Sequence, residues 1–393
     1  MNYKRNYKMR SNDLVGGLDI ISKYYHKKPN IINKRSNIDK FINYCDNHCT
    51  DDIIDSPIKP SFIKKIPNKK IHINENITNL DDLINMINKY PLIENIDYNI
   101  NMEILHKIKP YLINLNNMIG INNLKNHIVD QLLYFLQNFH KTQHYNDFMH
   151  TVIYGPPGTG KTEIAKILGS IFSSINVLSK CSFNKVTRSD LIAGYLGQTA
   201  IKTKEVIQNS LGGVLFIDEA YSLGNNEKRD SFAKECLDTL CESLTDHKDD
   251  LMVIIAGYEE QLDECFFAYN PGLNSRFTWR FHTDKYTSNE LKEILIKKIL
   301  DINWSYSEDF IDDKWFEKNY DYFQSYGRDI ETFLTKIKIA HSRRVFCLDE
   351  SEKKYITKID IEEGFKIYLA NNHILKSKNN KENNHLYLNS MYS

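Results

Sequence analysis

The sequence predicts an α/β fold: a doubly wound parallel sheet built around a phosphate loop, followed by a small all-α unit. Three observations predict it. Gly155-Pro156-Pro157-Gly158-Thr159-Gly160-Lys161-Thr162 fits G-x-x-x-x-G-K-[S/T] at every fixed position, with the apolar run Val152-Ile153-Tyr154 before it and an amphipathic pattern from Glu163 to Leu168 after it. Val214-Leu215-Phe216-Ile217 is apolar throughout, as a strand buried on both faces must be, and ends in Asp218-Glu219. Beyond Ser288 the apolar residues recur only at spacings of three and four.

Residues 1–75 show no sustained period. Pro29, Pro57, Pro60 and Pro67 punctuate them and Lys and Asn fill the gaps, so a low-complexity, mostly disordered arm is expected. Within it, residues 41–45 read as a short helix. Cys45 and Cys49 flank His48, but no second ligand pair lies at finger spacing to complete a zinc site. Residues 76–100 are expected as a short helical linker. Thr78 is its N-cap, Asp81 completes a capping box, Ile77, Leu80, Ile84 and Ile87 form its stripe, and Pro91 stops it.

The α/β domain is expected over 101–284. Ile104, Leu105, Ile108, Leu112 and Leu115 mark one helix, and Leu124, Ile128, Leu132, Leu133 and Leu136 a second that leads into the strand before the phosphate loop. After the loop's helix come a short strand and a helix cap at 185–191, then a helix over 199–210. A break at Gly212-Gly213 precedes the strand 214–217, a helix follows over 230–245, and a strand over 251–256. A helix near 259–267, a turn at Asn270-Pro271-Gly272 and a last strand at 278–281 close the domain, and this alternation is that of a doubly wound sheet. Leu291, Ile294, Leu295 and Ile299, then 330–339, then 361–369 supply the helical unit over 285–372, and 373–393 reads as a disordered polar tail.

The bulk numbers exclude some classes. Lys+Arg and Asp+Glu are 51 each, and zero net charge argues against a chain whose main task is coating nucleic acid. No apolar h-region follows the basic first ten residues, and no run of about 18 apolar residues spans a membrane. With seven scattered cysteines, a soluble, intracellular and cytoplasmic setting without a membrane partner is expected. Asparagine falls from 25 in residues 1–150 to 5 in residues 151–250, which marks where function begins to restrict the sequence. Cys181, Cys236, Cys241, Cys265 and Cys347 share no convergent spacing and read as packing residues. His341-Ser342-Arg343-Arg344 reads as a solvated basic helix end.

The motifs carry a chemistry. The loop's glycines let backbone N–H groups turn around phosphate oxygens, and the helix start adds its partial positive charge. Lys161 is expected to neutralise the β- and γ-phosphates and the Thr162 hydroxyl to hold Mg²⁺. Asp218, 57 residues after Lys161, is placed to reach Mg²⁺ through water, and Glu219 to polarise the water that attacks the γ-phosphate. The expected reaction is Mg²⁺-dependent hydrolysis of ATP to ADP and phosphate.

Residues 100–371 resemble the AAA+ ATPases, and within them the CbbX/CfxQ/SpoVK branch that includes red-type Rubisco activases. The resemblance rests on the phosphate loop, on Val186-Thr187-Arg188-Ser189-Asp190-Leu191, on Tyr195-Leu196-Gly197-Gln198-Thr199-Ala200 and on Lys202-Thr203-Lys204-Glu205-Val206. It continues through Gly212-Gly213-Val214-Leu215-Phe216-Ile217-Asp218-Glu219-Ala220-Tyr221, Ile255-Ala256-Gly257-Tyr258 and Asn270-Pro271-Gly272-Leu273-Asn274-Ser275-Arg276. It implies an AAA+ core with a helical lid. Arg276 looks like the finger that reaches the neighbouring subunit's γ-phosphate. Tyr195, Leu196 and Gly197 look like a central pore loop that grips a client polypeptide. Arg328, in Tyr326-Gly327-Arg328-Asp329 where the family usually shows Gly-Asn-x-Arg, looks like the lid's phosphate-sensing arginine, and Ile119-Gly120 resembles the segment that cups adenine. Many AAA+ proteins place Asn or Thr after the fourth strand to orient the attacking water. Here, as in this branch, the tip is Ala256-Gly257-Tyr258, which leaves that group unassigned. The family implies a ring, a hexamer, that remodels an unknown client protein. Two other readings stand beside it: a nucleic-acid motor or loader on the same fold, and a nucleotide-gated scaffold with little hydrolysis.

Overall fold

A computed structural model describes residues 69–143, 146–195, 197–224, 230–307, 309 and 311–370. The zinc reading at Cys45–Cys49, the helix at 41–45, most of the expected arm and all of the expected tail lie outside these residues, as does Leu196.

The described chain opens with a small β–α–β unit. Strand β1 (Lys69–Ile71) pairs in parallel with β2 (Ile96–Tyr98), and α1 (Leu80–Lys89) crosses between them. Two expectations change here. The strand Lys69–Ile71 and the buried Ile73 lie inside the stretch read as a loose arm. The cap of α1 is Asn79, which accepts from the N–H of Asp82, rather than Thr78; Thr78 instead donates to Asp82 through both its N–H and its hydroxyl. Asp82, not Asp81, is the acidic partner at this helix start, because the helix begins one residue later than the sequence suggested, and its carboxylate accepts from Thr78 rather than from the cap residue.

Helices α2 (Met102–Asn116) and α3 (Asn122–Leu136) lead to β3 (Thr151–Tyr154). The phosphate loop then opens α4 (Lys161–Ser174). There follow β4 (Phe183–Val186), the one-turn α5 (Arg188–Leu191) with Thr187 and Asp190 in a capping box, α6 (Thr199–Ser210), and β5 (Val214–Ile217). A 3₁₀ turn (Ala220–Leu223), α7 (Ser231–Asp246), β6 (Met252–Gly257), α8 (Glu259–Leu262) running into a π-turn (Asp263–Phe267), α9 (Pro271–Arg276) and β7 (Trp279–His282) complete the α/β part.

The five strands are all parallel, in the order β4-β5-β6-β3-β7. The order reverses between β3 and its neighbours, and ligands bind outside the carboxyl ends of strands at such a switch point. Successive side chains face opposite sides, so both faces need cover. Ile153, Phe216, Ile254 and Phe281 pack into one core with α2, α3 and α4. Val152, Leu215, Ile217, Val253 and Ile255 pack into the other with Ile207 of α6, Leu237 and Leu240 of α7, and Phe266 and Phe277. At roughly 1.5–3 kcal/mol per large apolar side chain buried, this two-sided burial fixes the strands firmly.

The lid comprises α10 (Ser288–Asp301), α11 (Asp313–Asn319), α12 (Gly327–Val345) and α13 (Lys358–Ala370). Its core is aromatic, with Trp315 stacked on Phe333 at 5.7 Å between centroids and Phe323, Phe365 and Tyr368 around them. The lid is not helical throughout: β8 (Ser305–Tyr306) and β9 (Tyr355–Ile356) form a two-residue parallel pair. The basic end of α12 is solvated only in part: Ser342 and Arg343 are exposed, His341 and Arg344 are not. His341 is buried and its Nδ1 lies 3.0 Å from Oδ2 of the buried Asp360, which also accepts from Arg344 and from the N–H of Thr357. Packing fits Cys236 and Cys241, which are buried, but not Cys181 and Cys347, which are exposed.

Candidate active site

Strand β3 delivers its chain end into the phosphate loop, and Gly155 N–H donates to Gly257 O at the tip of the neighbouring strand β6. Gly158 sits at φ +78°, and a Cβ there would fall 1.9 Å from Ser325 O and 3.0 Å from the backbone nitrogen of Arg328. Only glycine allows the loop to pass this close to the lid, and the Gly327 N–H closes the contact by donating to Gly158 O at 3.1 Å. Thr159 is fully buried and works inward: its hydroxyl donates to Pro156 O and meets the Thr283 hydroxyl at 2.9 Å. Thus part of the motif shapes the loop and part faces outward.

The outward part borders a cavity of about 1060 Å³ between the sheet and the lid, large enough for a nucleoside triphosphate. Gly155, Pro157, Gly158, Gly160, Lys161 and Thr162 line it from the loop, Asp218 and Glu219 from the end of β5, Arg328 from the lid and Ile119 from the turn before α3. Gly120 is set behind that turn, at φ +66° against Glu290 and Tyr286. Pro156 acts through its carbonyl, which with that of Gly155 accepts from Lys161 Nζ at 2.7 and 2.8 Å.

The electrostatics are mixed by design of the fold. Burial pulls Lys161 below the ordinary lysine value, the carboxylates of Asp218 and Glu219 push it back up, and Arg328 adds to the lowering. Lys161 and Arg328, with Lys297 and Lys298 on the same cavity and the uncapped N-terminus of α4 beside them, fit an anion of high charge. Asp218 is paired with Lys185 at 2.7 Å, so a cationic group already occupies its Oδ2 side. The hydroxyl of Thr162 and the carboxylate of Asp218 are hard oxygen donors on one wall, which is the donor set Mg²⁺ takes when phosphates supply the rest.

Arg276 does not line this cavity. At the end of α9, its Nη1 donates to Gly272 O at 2.7 Å and its Nε to Thr245 Oγ1 at 2.8 Å. Behind it, burial pushes His150 down to about 4, so a neutral imidazole receives the Val253 N–H there. Tyr195 is 73% exposed, in a turn closed by the Gln198 N–H on its carbonyl, which rules out a core tyrosine. Gly197 follows at φ +78° with open space around it.

A family model for the ATPase family associated with various cellular activities (AAA) matches residues 151–283. A cfxQ-like protein of Acanthamoeba polyphaga mimivirus is 42% identical over 284 residues, which cover 72% of this chain and 69% of that protein. The chain belongs to the AAA+ ATPases of the CbbX/CfxQ/SpoVK type. Stage V sporulation protein K of Bacillus subtilis is 40% identical over 172 residues, 44% of this chain and 52% of the relative. Protein CfxQ of Xanthobacter flavus is 33% identical over 205 residues, 50% of this chain and 63% of the relative. The chain therefore spans between half and two thirds of these last two proteins.

In this ATPase the sequence left several cavity residues unnamed. Tyr221 in the 3₁₀ turn, Tyr258 beyond β6 and Lys297 of α10 were not picked out, nor was Lys185 at the end of β4, which lies outside the cavity but pairs with Asp218. Lys185 and Tyr221 both fall inside or beside quoted motifs, so the signal was position beside Asp218-Glu219 rather than residue type. Lys297 is found only through the fold, because α10 is brought over the cavity by the lid.

Proposed function

We propose that this ATPase works as a ring, a hexamer, whose subunits share nucleotide sites and use ATP hydrolysis to move a client polypeptide. The observation that carries the reading is that the chain gathers Lys161, Asp218, Glu219 and Arg328 around one cavity while Arg276 stands outside it. A finger that does not serve its own site is available to a neighbour's, which ties hydrolysis to assembly. Lys161 and the loop N–H groups bind the phosphates. Glu219 takes a proton from the attacking water as the bond from the γ-phosphorus to the bridging oxygen breaks and ADP leaves. Thr162 and Asp218 would hold Mg²⁺, which would supply neutralisation of charge on the phosphate oxygens. Arg328 couples phosphate occupancy to the lid, since α12 begins beside the loop.

The exposed Tyr195 supports a grip on an extended chain. With unfolded casein as the probe, wild-type ATP turnover rises. Tyr195→Ala keeps basal turnover within about twofold and loses that rise, as removal of one stacking or apolar contact per subunit predicts. Unchanged stimulation in the variant would remove Tyr195 from the mechanism, and stimulation by single-stranded DNA but not by casein would favour a nucleic-acid motor.

A further inference from the structure

The last two residues of β6, Ala256 and Gly257, carry no polar side chain where they stand next to the end of β5, and Tyr258 follows at the edge of the cavity. The register Ile217↔Ile255 carried forward sets Asp218 and Glu219 alongside Ala256 and Gly257. A Cβ at Gly257 would fall 2.8 Å from Tyr221 Cδ1 and 3.2 Å from Leu262 Cδ1. The Tyr221 ring therefore occupies the space that a side chain on this strand tip would fill. The ring arrives there because Glu219 adopts φ 51°, ψ 47°, a left-handed conformation uncommon for a side chain of this kind, and the chain then turns through the 3₁₀ segment Ala220–Leu223. Strain of this sort persists where surrounding structure enforces it, and here it sits on the expected catalytic base.

Tyr221 borders the same cavity as Lys161, Asp218 and Glu219, and the Tyr258 ring lies 6.1 Å from it, tilted by 46°. Burial, then the negative charge of Glu219, raise the Tyr221 phenol above its ordinary value. A phenol that keeps its proton is a donor, and the Glu219 carboxylate, two residues before it and on the same cavity, is an acceptor.

We propose that Tyr221 is the positioning residue of this ATPase: its hydroxyl donates to the Glu219 carboxylate and fixes which oxygen faces the attacking water. Gly257 is what gives the ring its place. The tyrosine on the turn after β5 thus supplies a polar group beside Ala256 and Gly257, which carry none. This rests on the reading of Glu219 as the base.

Tyr221→Phe in the full chain removes the hydroxyl and keeps the ring. Expected is a fall in kcat of about ten- to a hundredfold, the effect of losing one hydrogen bond to a charged group, with KM for ATP and the affinity for a fluorescent ATP analogue unchanged. Gly257→Ala pushes the ring aside and lowers kcat in the same way. In a Glu219→Gln background, single-turnover rates show no further loss from Tyr221→Phe, because the two residues act as a unit. Wild-type kcat in Tyr221→Phe, or an equal loss in the Glu219→Gln background, overturns the proposal while leaving Glu219 as base. Wild-type turnover in Glu219→Gln itself overturns the base and Tyr221's role together.

Discussion

Replacing Glu219 with glutamine lowers ATP turnover by about 10²–10⁴-fold while ATP stays bound. The carboxylate lines the cavity at the end of β5, together with Asp218 and Lys161. Glutamine keeps the size and the hydrogen-bonding capacity of the side chain but cannot accept the proton that the attacking water gives up. The phosphate loop, the lid contact between Gly327 and Gly158, and the lysine are untouched, so binding remains. Phosphate release measured beside equilibrium binding of ATP separates the two effects. Turnover within a few-fold of wild type would reject Glu219 as the base.

Lys161→Ala removes nucleotide binding rather than turnover of bound nucleotide. Its ammonium donates to the carbonyls of Gly155 and Pro156 and is half-buried in the cavity, where a phosphate would meet it without intervening water. Truncating one partner of a buried charge pair costs about 2–5 kcal/mol, roughly 30- to several-thousandfold in affinity. Loss of the two carbonyl bonds also loosens the loop that aims the N–H groups. Thermal unfolding reads this directly: ATP at a hundred times the wild-type Kd stabilises the wild type by about 2.7 kcal/mol and the variant by about 0.9 kcal/mol or less. A ligand-induced shift equal to that of the wild type would refute the cradle.

Elements buried on both sides were the most legible. The strand Val214–Ile217 and the helix Thr199–Ser210 have the bounds the sequence predicts, because an uninterrupted apolar run and a glycine break leave little room for another reading. The short strands were not legible. Lys69–Ile71 and Ile96–Tyr98 are three residues each, largely polar or half-exposed, and find each other only across an intervening helix. His341 looked solvated because its partner, Asp360, is nineteen residues away on another helix. The phosphate-loop motif could be read as chemistry because its spacing is itself the geometry. The place of Tyr221 could not, since it depends on how the tip of β6 lies beside the turn after β5. Nor did spacing separate Thr159, which props the loop from within, from Thr162, which faces the cavity.

The central claim is that each chain holds an incomplete site that a neighbour's Arg276 finishes, and mixing two inactive variants tests it most directly. Arg276→Ala subunits keep their own Lys161 and Glu219, and Glu219→Gln subunits keep the finger. Each alone turns over ATP slowly. Mixed one to one before assembly, they should recover activity from about a quarter of the interfaces, those in which an intact base meets an intact finger. A mixture no more active than the two separate preparations, or full activity of Arg276→Ala alone, would contradict a site shared between subunits.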